Sequence, residues 1–353
     1  MITGKSIVKR SVYKPKLHWL CERYGIDASL LSNLQILLDQ SRHDSEGTSG
    51  RWVDISGNGN DLVQGTAGSQ PTLFPTYRDF DGNDFIQQKE IDSEQGALSY
   101  TTEGADSTFT DASQVFTTWQ TASGTAAYRI VVHNDDATIS YGYLGAAVSA
   151  TEVKVYNSAA LSTSGWLGTA IAGKTPSTYE IYKVIGSSNL TVDFTQIFVF
   201  KPDDGIPGSN EFLMCIGDAG ATGVGSIDLY YKAVIVQKAR RVGSVERAVV
   251  CNNPLSDGAQ SNFTVLAIVI DTTTGTGAIY VNGVAQTLTE NTMDAIATAD
   301  QYSPLRLGAR NQNGAITSYF NGKIAIYMCF DTALTATQIL NIYNSDAVQA
   351  AVR

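Results

Sequence analysis

Paired cysteines and clustered histidines are both missing from the sequence. Four cysteines lie far apart without a Cys-x-x-Cys motif, a pattern that predicts buried free thiols in a reducing compartment rather than a disulfide or zinc framework. These cysteines are Cys21, Cys215, Cys251 and Cys329. The histidines His18, His43 and His133 are scattered, so neither a metal centre nor a catalytic triad is predicted from them.

Long hydrophobic runs are also missing. The longest one, Val265 to Ile270, has the length of a strand and is too short to cross a bilayer. No apolar stretch with a small-residue cleavage site follows the basic N-terminus, so we expect no signal peptide and no membrane insertion. Any role outside a cell would then need a route other than ordinary secretion.

Charge is scarce and unevenly placed. Only 16% of the residues are charged, and the formal net charge is −10. Residues 1–20 contain five of the 24 basic residues and no acidic one, which leaves 19 basic against 34 acidic residues, or −15, in the rest. The negative charge of the residues after 20 repels polyanions, so we expect no nucleic-acid partner.

The basic N-terminal arm is predicted to dock on a partner. Its charges repel one another and Pro15 interrupts any helix, so the arm is expected to be extended and mobile in isolation. An acidic partner would attract it, and a neighbouring copy of the chain is one such partner, which would make the protein a homo-oligomer. The alternative is an ordinary edge strand. The predicted docking residues are Lys5, Lys9, Arg10, Lys14 and Lys16.

Alternating apolar residues and turn formers dominate the rest of the chain. The stretch FTVLAIVIDTTTGTGAIYVNGVAQTL, 263–288, predicts three strands, with Asn282 and Gly283 forming a hairpin turn. Thr335 and Gln338 have the spacing of a capping box, which predicts one short amphipathic helix after the last strand. The composition, with 43% hydrophobic residues and 32 glycines, indicates a globular all-β protein.

Six segments occur in a specific order: WVDISGNGNDL, FDGNDFI, IYVNGV, LRLGA, FNGKIAIYMCF and ALTATQILNIY. In this order they resemble the laminin G-like branch of the concanavalin A-like lectin and glucanase superfamily. The resemblance implies a jelly-roll sandwich of two antiparallel sheets. We therefore divide the chain into a basic arm at 1–26, a jelly roll at 27–95 and 190–345, an inserted β subdomain at 96–189, and a C-terminal tail at 346–353.

The inserted segment departs from the resembled domain. Alternation in AAYRIVVHN, TEVKVYN and TYEIYKVI predicts strands there. Its aromatic residues are candidates for a sugar-stacking or protein-contact surface, since rigid amphipathic rings bury area at low entropic cost. The alternative is that they form the core of the subdomain. The predicted ligand-binding residues are Trp119, Trp166, Tyr141 and Tyr143.

The stretch KEIDSE, 89–94, places Glu90, Asp92 and Glu94 on one face of an extended strand. This spacing resembles the catalytic strand of laminarinase-type glycoside hydrolases. A retaining glycosidase needs carboxylates about 5 to 5.5 Å apart, whereas residues i and i+4 of a strand lie roughly 13 Å apart. Ser93 also replaces the bulky apolar residue usual in those hydrolases. We expect no catalysis from the triplet and interpret it as a solvated polar edge.

An Asx-rich loop is the candidate metal site. Asp54, Asn58, Asn60 and Asp61 offer hard oxygen ligands. The turn at 81–84 is expected to lie nearby at the same rim of the sandwich, because both segments follow strands and lie near each other in the resembled fold. The alternative, which we prefer, is that these side chains cap turns without an ion. No other cofactor is predicted.

The sequence favours a non-enzymatic lectin-like protein of a phage virion. Such a capsid or tail accessory would bind a host-surface glycan or pack against virion proteins, and would be assembled in the host cytoplasm. The free cysteines and the basic arm support this context. Two alternatives are a polysaccharide-degrading hydrolase on the same fold and a decoration or cement protein without a ligand.

Overall fold

Antiparallel strands make up most of the protein. The structure, a computed structural model, describes residues 17–42, 47–48, 50–88, 98–101, 107–113, 116, 128–136, 138–157, 161, 164–168, 170–185, 193–217, 226–240, 247–292, 304–312 and 315–353. The predicted all-β jelly-roll class is confirmed by two large facing sheets, to which the chain adds a third sheet and a layer of helices.

The first sheet of the sandwich has eight strands. They are β1 (Leu34–Asp39), β4 (Thr72–Leu73), β5 (Arg78–Asp81), β14 (Phe194–Pro202), β19 (Thr264–Asp271), β20 (Thr276–Val281), β21 (Val284–Ala285) and β26 (Asn321–Phe330). The order across the sheet is β21-β20-β19-β14-β26-β5-β4, and β1 also pairs with β26. The central strands β14 and β19 are buried along nearly their whole length, which explains their unbroken apolar runs.

The second sheet of the sandwich has nine strands. They are β2 (Arg51–Trp52), β3 (Leu62–Val63), β6 (Ile86–Gln88), β15 (Glu211–Gly217), β16 (Ser226–Tyr231), β17 (Val234–Arg240), β18 (Arg247–Asn252), β22 (Leu288–Asn291) and β23 (Arg306–Leu307). The order is β2-β3-β6-β23-β15-β16-β17-β18-β22. A short hairpin of β24 (Arg310–Gln312) and β25 (Ala315–Thr317) follows β23.

The third sheet lies within residues 96–189. Its seven strands are β7 (Leu98–Thr101), β8 (Thr108–Asp111), β9 (Tyr128–Asn134), β10 (Ile139–Ala147), β11 (Glu152–Tyr156), β12 (Leu167–Gly168) and β13 (Pro176–Lys183). A separate apolar cluster that includes Phe109, Ile130, Leu144 and Ile181 packs on one face of this sheet. These strands pair only with one another among the described residues.

The main core lies between the two sheets of the sandwich, and a second core lies outside the eight-stranded sheet. The main core contains Trp52, Phe198, Leu229 and Ile268 with their neighbours. The second core lies under helices α1 (Leu17–Tyr24), α2 (Ala336–Tyr343) and α3 (Asp346–Val352). Two short 3₁₀ helices, Ala28–Leu30 and Ala67–Ser69, complete the described elements. None of the helices in the described ranges is long and apolar enough to cross a membrane.

The two ends of the chain differ from the prediction. Helix α1 begins at Leu17, inside the predicted extended arm, and buries Leu20 and Tyr24 against the sandwich. The Tyr24 hydroxyl donates to Asp39 Oδ2 at 2.6 Å. The predicted tail at 346–353 contains α3, which buries Ala347 and Val348. In both cases the helix is stabilised by burying its apolar face against the sandwich. The sequence around it had not led us to predict a helix there.

Two local predictions are confirmed. Strands β20 and β21 pair at Val281 and Val284, and both Asn282 and Gly283 have positive φ, as a two-residue hairpin turn requires. At the start of α2, the Thr335 side chain accepts from the Gln338 N–H, and the Gln338 side chain accepts from the Thr335 N–H. This reciprocal pair is the predicted capping box.

Candidate ligand-binding site

A row of polar side chains crosses the outer face of the nine-stranded sheet. The members occupy paired positions on adjacent strands β6, β23, β15, β16 and β17. We call this set the polar row, and it consists of Gln87, Arg306, Cys215, Asp228 and Lys238. Their chain neighbours, such as Ile227, Leu229 and Leu307, point into the main core, so alternation directs the row away from it. Four strand spacings give the row a length of about 19 Å.

An aromatic pair lies beside the polar row on the same face. Phe212 and Tyr230 occupy paired positions, and their ring centroids are 4.9 Å apart with an interplanar angle of 31°. Two cations lie over these rings: Lys238 Nζ is 5.6 Å from the Tyr230 centroid, and Arg310 Cζ is 4.9 Å from the Phe212 centroid. Both rings are buried, with Phe212 2% and Tyr230 9% exposed, and they pack with Val236 and Ala248. The half-buried Lys238 and Arg310 above them are therefore the groups open to a ligand.

Strand β24 places the Arg310 side chain near the row. Arg310 Nη2 lies 3.7 Å from Asp228 Oδ2, and the Asp228 side chain is only 4% exposed. The Cys215 thiol is buried between Arg306 and Asp228 in the row, and burial, together with the charge of Asp228, raises its pKa well above the usual value. Cys215 is therefore an inert packing residue here and not a nucleophile.

The third sheet brings a carboxylate close to Arg306. Glu180 on β13 accepts from the Tyr182 hydroxyl at 2.7 Å, and its Oε1 is 3.7 Å from His133 Nε2. Burial alone would raise the pKa of Glu180, but the hydrogen bonds from His133 and Tyr182 and the charge of Arg306 bring it below its usual value. Glu180 is therefore held as a carboxylate.

The predicted aromatic residues of the insert lie mostly inside it. For Tyr141 the structure differs from the prediction: the residue is 2% exposed and packs with Val131 and Tyr182, so its ring is not open to an external ligand. Trp166 packs edge-on against Tyr100, with ring centroids 5.0 Å apart. Tyr143 is half-buried at a position paired with Arg129. Trp119 lies outside the described residues.

Asp54 in the Asx-rich loop uses its carboxylate to hold the loop. Its Oδ1 accepts from the backbone N–H groups of Leu37 and Ser56, both at 2.9 Å. Its Oδ2 accepts from the Asn60 N–H at 2.9 Å and from the Ser56 hydroxyl at 2.8 Å. Burial raises the pKa of Asp54, although these hydrogen bonds oppose the shift. Both oxygens are thus already used within the protein.

The other three loop residues do not complete an oxygen cage for calcium. Asp61 accepts from the Asp54 N–H and pairs with Arg51, and Asn58 donates its amide to the Leu34 carbonyl at 2.7 Å. Asn60 donates its amide to the Gln35 carbonyl, and its buried Oδ1 has no hydrogen-bond partner in the described part of the chain. The Lys183 ammonium supplies a positive charge here by donating to the Asn58 carbonyl. The geometry therefore fits turn capping better than a metal site.

The predicted proximity of the Asx-rich loop and the turn at 81–84 is wrong. Asp81 pairs with Asn321 at the start of β26, whereas Leu34, which contacts the loop, pairs with Phe330 at its end. These ends lie about 30 Å apart along a ten-residue strand. The reason is that the turn connects β5 and β6, which belong to different sheets, at the opposite end of the sandwich.

Several predicted site residues cannot be placed. The triplet Glu90, Asp92 and Glu94 lies outside the described residues, and so do the five basic residues of the arm. These predictions stay predictions. Within the described ranges, no group of three or more His, Cys, Asp or Glu side chains is arranged to hold a metal ion.

The polar row was missed by sequence reasoning. Its charged members stand alone in apolar strands, as Asp228 does in SIDLYY and Arg306 does in PLRLG. A charge isolated in an otherwise apolar strand is the signal that could have drawn attention to them, since buried charges are rare without a role.

The class that the fold defines is a jelly-roll sandwich of two antiparallel sheets. Residues 186–340 match the family model Laminin_G_3, of the concanavalin A-like lectin/glucanases superfamily, which confirms the resemblance for these residues. The matched region is less than half of the chain. A comparison with curated proteins finds no match.

Solved structures with a similar sandwich include modules of sialidases. The Ruminococcus gnavus IT-sialidase CBM40 is 13% identical, with 45% of this chain and 88% of that chain covered and a TM-score of 0.38. The NanB sialidase of Streptococcus pneumoniae is 18% identical, covering 42% and 23% of the two chains with a TM-score of 0.37. The heptameric SAP-like pentraxin of Limulus polyphemus is 16% identical, covering 43% and 70% with a TM-score of 0.33. Similarity at this level concerns the fold alone.

Proposed function

We propose that the protein binds a glycan on the outer face of the nine-stranded sheet and does not cleave it. The observation that carries the proposal is the polar row, where Gln87, Lys238 and the adjacent Arg310 are partly open to solvent, on a sandwich in which residues 186–340 match a lectin-type family. A sugar presents apolar C–H faces and a rim of hydroxyls. Hydrogen-bonding side chains that are partly open to solvent complement the rim of hydroxyls.

The carboxylates at the site favour binding over hydrolysis. Glycoside hydrolysis requires one carboxylic acid that keeps its proton near neutral pH and a second carboxylate on the other side of the scissile bond. Glu180 has a lowered pKa, and Asp228 is almost fully buried beside Arg310. Glu180 is therefore not suited to donate a proton to a leaving group, and Asp228, at 3% exposed, is too enclosed to reach one.

The proposed context is a phage virion, in which the protein serves adhesion to a host-surface glycan or packing against virion proteins. The basic arm supports docking on an acidic partner, including a second copy of the chain. Free cysteines, three of them buried, support assembly in a reducing cytoplasm. A ligand-free decoration protein is the alternative that the following experiment also tests.

A glycan array combined with a reducing-sugar assay tests the proposed function. Purified protein is expected to retain a defined set of glycans on the array and to release no reducing ends from the same glycans in solution. Release of reducing sugar would identify a hydrolase instead. Retention of no glycan at all would favour the decoration protein.

A further inference from the structure

One end of the outer face of the eight-stranded sheet is partly open to solvent. On β14 and β26 the outward-facing Val199 and Ala325 belong to the second core under the helices. Two residues further along each strand, Lys201 and Lys323 occupy paired positions, and Lys323 in turn pairs with Asp79 on β5. Alternation places these three side chains on the same outer face, where 21% of Lys323 and 30% of Asp79 is exposed.

Three aromatic residues, which we call the aromatic strip, lie at this end of the sheet. They are Phe74, Tyr77 and Phe263, and all three are half-buried at the surface. The ring centroids of Phe74 and Tyr77 are 4.7 Å apart, and those of Tyr77 and Phe263 are 5.9 Å apart. Lys323 Nζ lies 5.7 Å from the Tyr77 centroid. The strip therefore already holds one cation, and it is partly open to others.

Carboxylates outnumber cations around the aromatic strip. Lys323 Nζ lies 3.3 Å from Asp79 Oδ1 and 3.3 Å from Asp203 Oδ1, so one lysine serves two carboxylates. The described carboxylates of this end of the sandwich are Asp79, Asp81, Asp84, Asp203, Asp204, Glu211 and Asp257. The described cations of the same end are Arg42, Arg78, Lys201, Lys232 and Lys323. Five cations against seven carboxylates leave −2, so this surface attracts a positively charged segment.

The chain that precedes helix α1 enters beside this surface. In the first turn of α1, the Trp19 ring lies under Arg42, with 4.4 Å between the ring centroid and Arg42 Cζ. Two residues before Arg42, the Gln40 N–H donates to the Ala325 carbonyl at 2.9 Å, and Ala325 is two residues from Lys323. The sixteen residues before α1 are long enough to reach the strip, because an extended chain advances about 3.3 Å per residue.

We propose that residues 1–16 dock on the aromatic strip of the same molecule. This segment contains all five basic residues of the arm and no acidic one, so its charge complements the surplus of carboxylates around the strip. Its Lys and Arg side chains contact the rings as Lys323 contacts Tyr77. Attachment at α1 keeps the segment at a high effective concentration near its own strip, which favours the same molecule over a second copy. The inference is independent of glycan binding, since the polar row lies on the other sheet.

Carbodiimide cross-linking of the full chain tests the docking, because this reagent joins a lysine amine to a carboxylate that it contacts. The cross-links are mapped by mass spectrometry in an equal mixture of unlabelled and isotope-labelled protein. We expect lysines of residues 1–16 to be joined to Asp79, Asp81 or Asp203, always within one isotope form. Cross-links between the two forms would show that a second copy is the acceptor and would overturn the inference. Cross-links of the segment only to other carboxylates, or none, would overturn it too.

Two matched double variants give a second readout. Asp79→Asn with Asp203→Asn removes two carboxylates beside the strip, whereas Asp135→Asn with Glu290→Gln removes two exposed carboxylates elsewhere. Trypsin cleavage within residues 1–16 is expected to be about tenfold faster in the first variant than in wild type and unchanged in the second, because cleavage requires release of the segment. Raising the salt concentration is expected to speed cleavage of wild type.

Thermal melting checks that both variants fold, and if the first does not, the cross-links of wild type decide. Equal cleavage of the first variant and wild type would overturn the inference. Since neither readout involves a glycan, that result would leave the proposed function standing, and an array that retains no glycan would leave the docking standing.

Discussion

At the scale of single residues, a buried carboxyl group gives the fold a pH dependence. Asp84 is 4% exposed and accepts from the Asp81 N–H at 3.2 Å. Burial raises its pKa from 3.8 to about 6, and the negative charges of Asp81 and Asp79 add to the shift. The folded protein therefore holds this proton more tightly than the unfolded chain, and folding becomes less favourable as the proton is lost.

We expect the free energy of unfolding contributed by Asp84 to be highest below about pH 4 and to fall as the pH rises to about 6. Asp84→Asn keeps an acceptor for Asp81 but has no proton to lose. At pH 7 it is expected to be more stable than wild type by on the order of 1 kcal/mol, allowing for screening by solvent. Urea unfolding between pH 4 and 7 measures this, with the exposed Asp257→Asn as control. Parallel pH curves for wild type and Asp84→Asn would contradict it.

At the scale of elements, helix α2 shows how a local signal and tertiary packing combine. The capping box at Thr335 and Gln338 satisfies N–H groups at its first turn, and Ile339 and Ile342 then pack onto the eight-stranded sheet. The sequence predicted this helix because both signals lie within a few residues of each other.

Thr335→Ala is expected to lower the free energy of unfolding by about 1 kcal/mol, because the Gln338 N–H loses its acceptor. Thr335→Ser keeps the hydroxyl and is expected to stay within a few tenths of a kcal/mol of wild type. Chemical denaturation of the three proteins measures the difference. Equal losses in both variants would show that the methyl group, and not the cap, stabilises the helix.

Elements that depend on distant partners were harder to predict. Helix α3 has no side-chain hydrogen bond at its N-cap Ser345, and both α1 and α3 are held by burial of residues such as Leu20 and Val348. The polar row depends on pairing among β6, β15, β16, β17 and β23, which the chain brings together from separate regions. Local alternation indicates each strand but not its neighbour, so the jelly-roll class was predictable and the site was not.

At the scale of the whole molecule, the third sheet is attached at one end of the sandwich. Gln88 Nε2 donates to the Lys183 carbonyl at 2.7 Å, so the end of β6, which precedes the third sheet in the chain, lies beside the end of β13, the last strand of that sheet. The Lys183 ammonium also contacts the Asn58 carbonyl. The sheet has its own apolar core, so the sandwich does not depend on it for burial of the main core.

Replacing residues 96–189 by a short Gly/Ser linker is therefore expected to give a folded sandwich, because Gln88 and Lys183, on the two sides of the third sheet in the chain, are hydrogen-bonded to each other. The melting temperature should fall by only a few degrees, as expected for the loss of a small number of surface hydrogen bonds. Calorimetry and size-exclusion chromatography check the result. Purely aggregated protein would show that the sandwich and the third sheet fold as one unit.

The central claim, that the polar row binds the ligand, is tested most directly by titrating the tightest-binding array glycan into two matched double variants. Lys238→Gln with Arg310→Gln removes both cations that lie over the aromatic pair, whereas Lys201→Gln with Lys232→Gln removes two charges away from the row. Both proteins are first checked for wild-type melting. We predict that the first variant binds about tenfold or more weakly than wild type and that the second binds like wild type. Equal affinity of the first variant and wild type would contradict the assignment of the site.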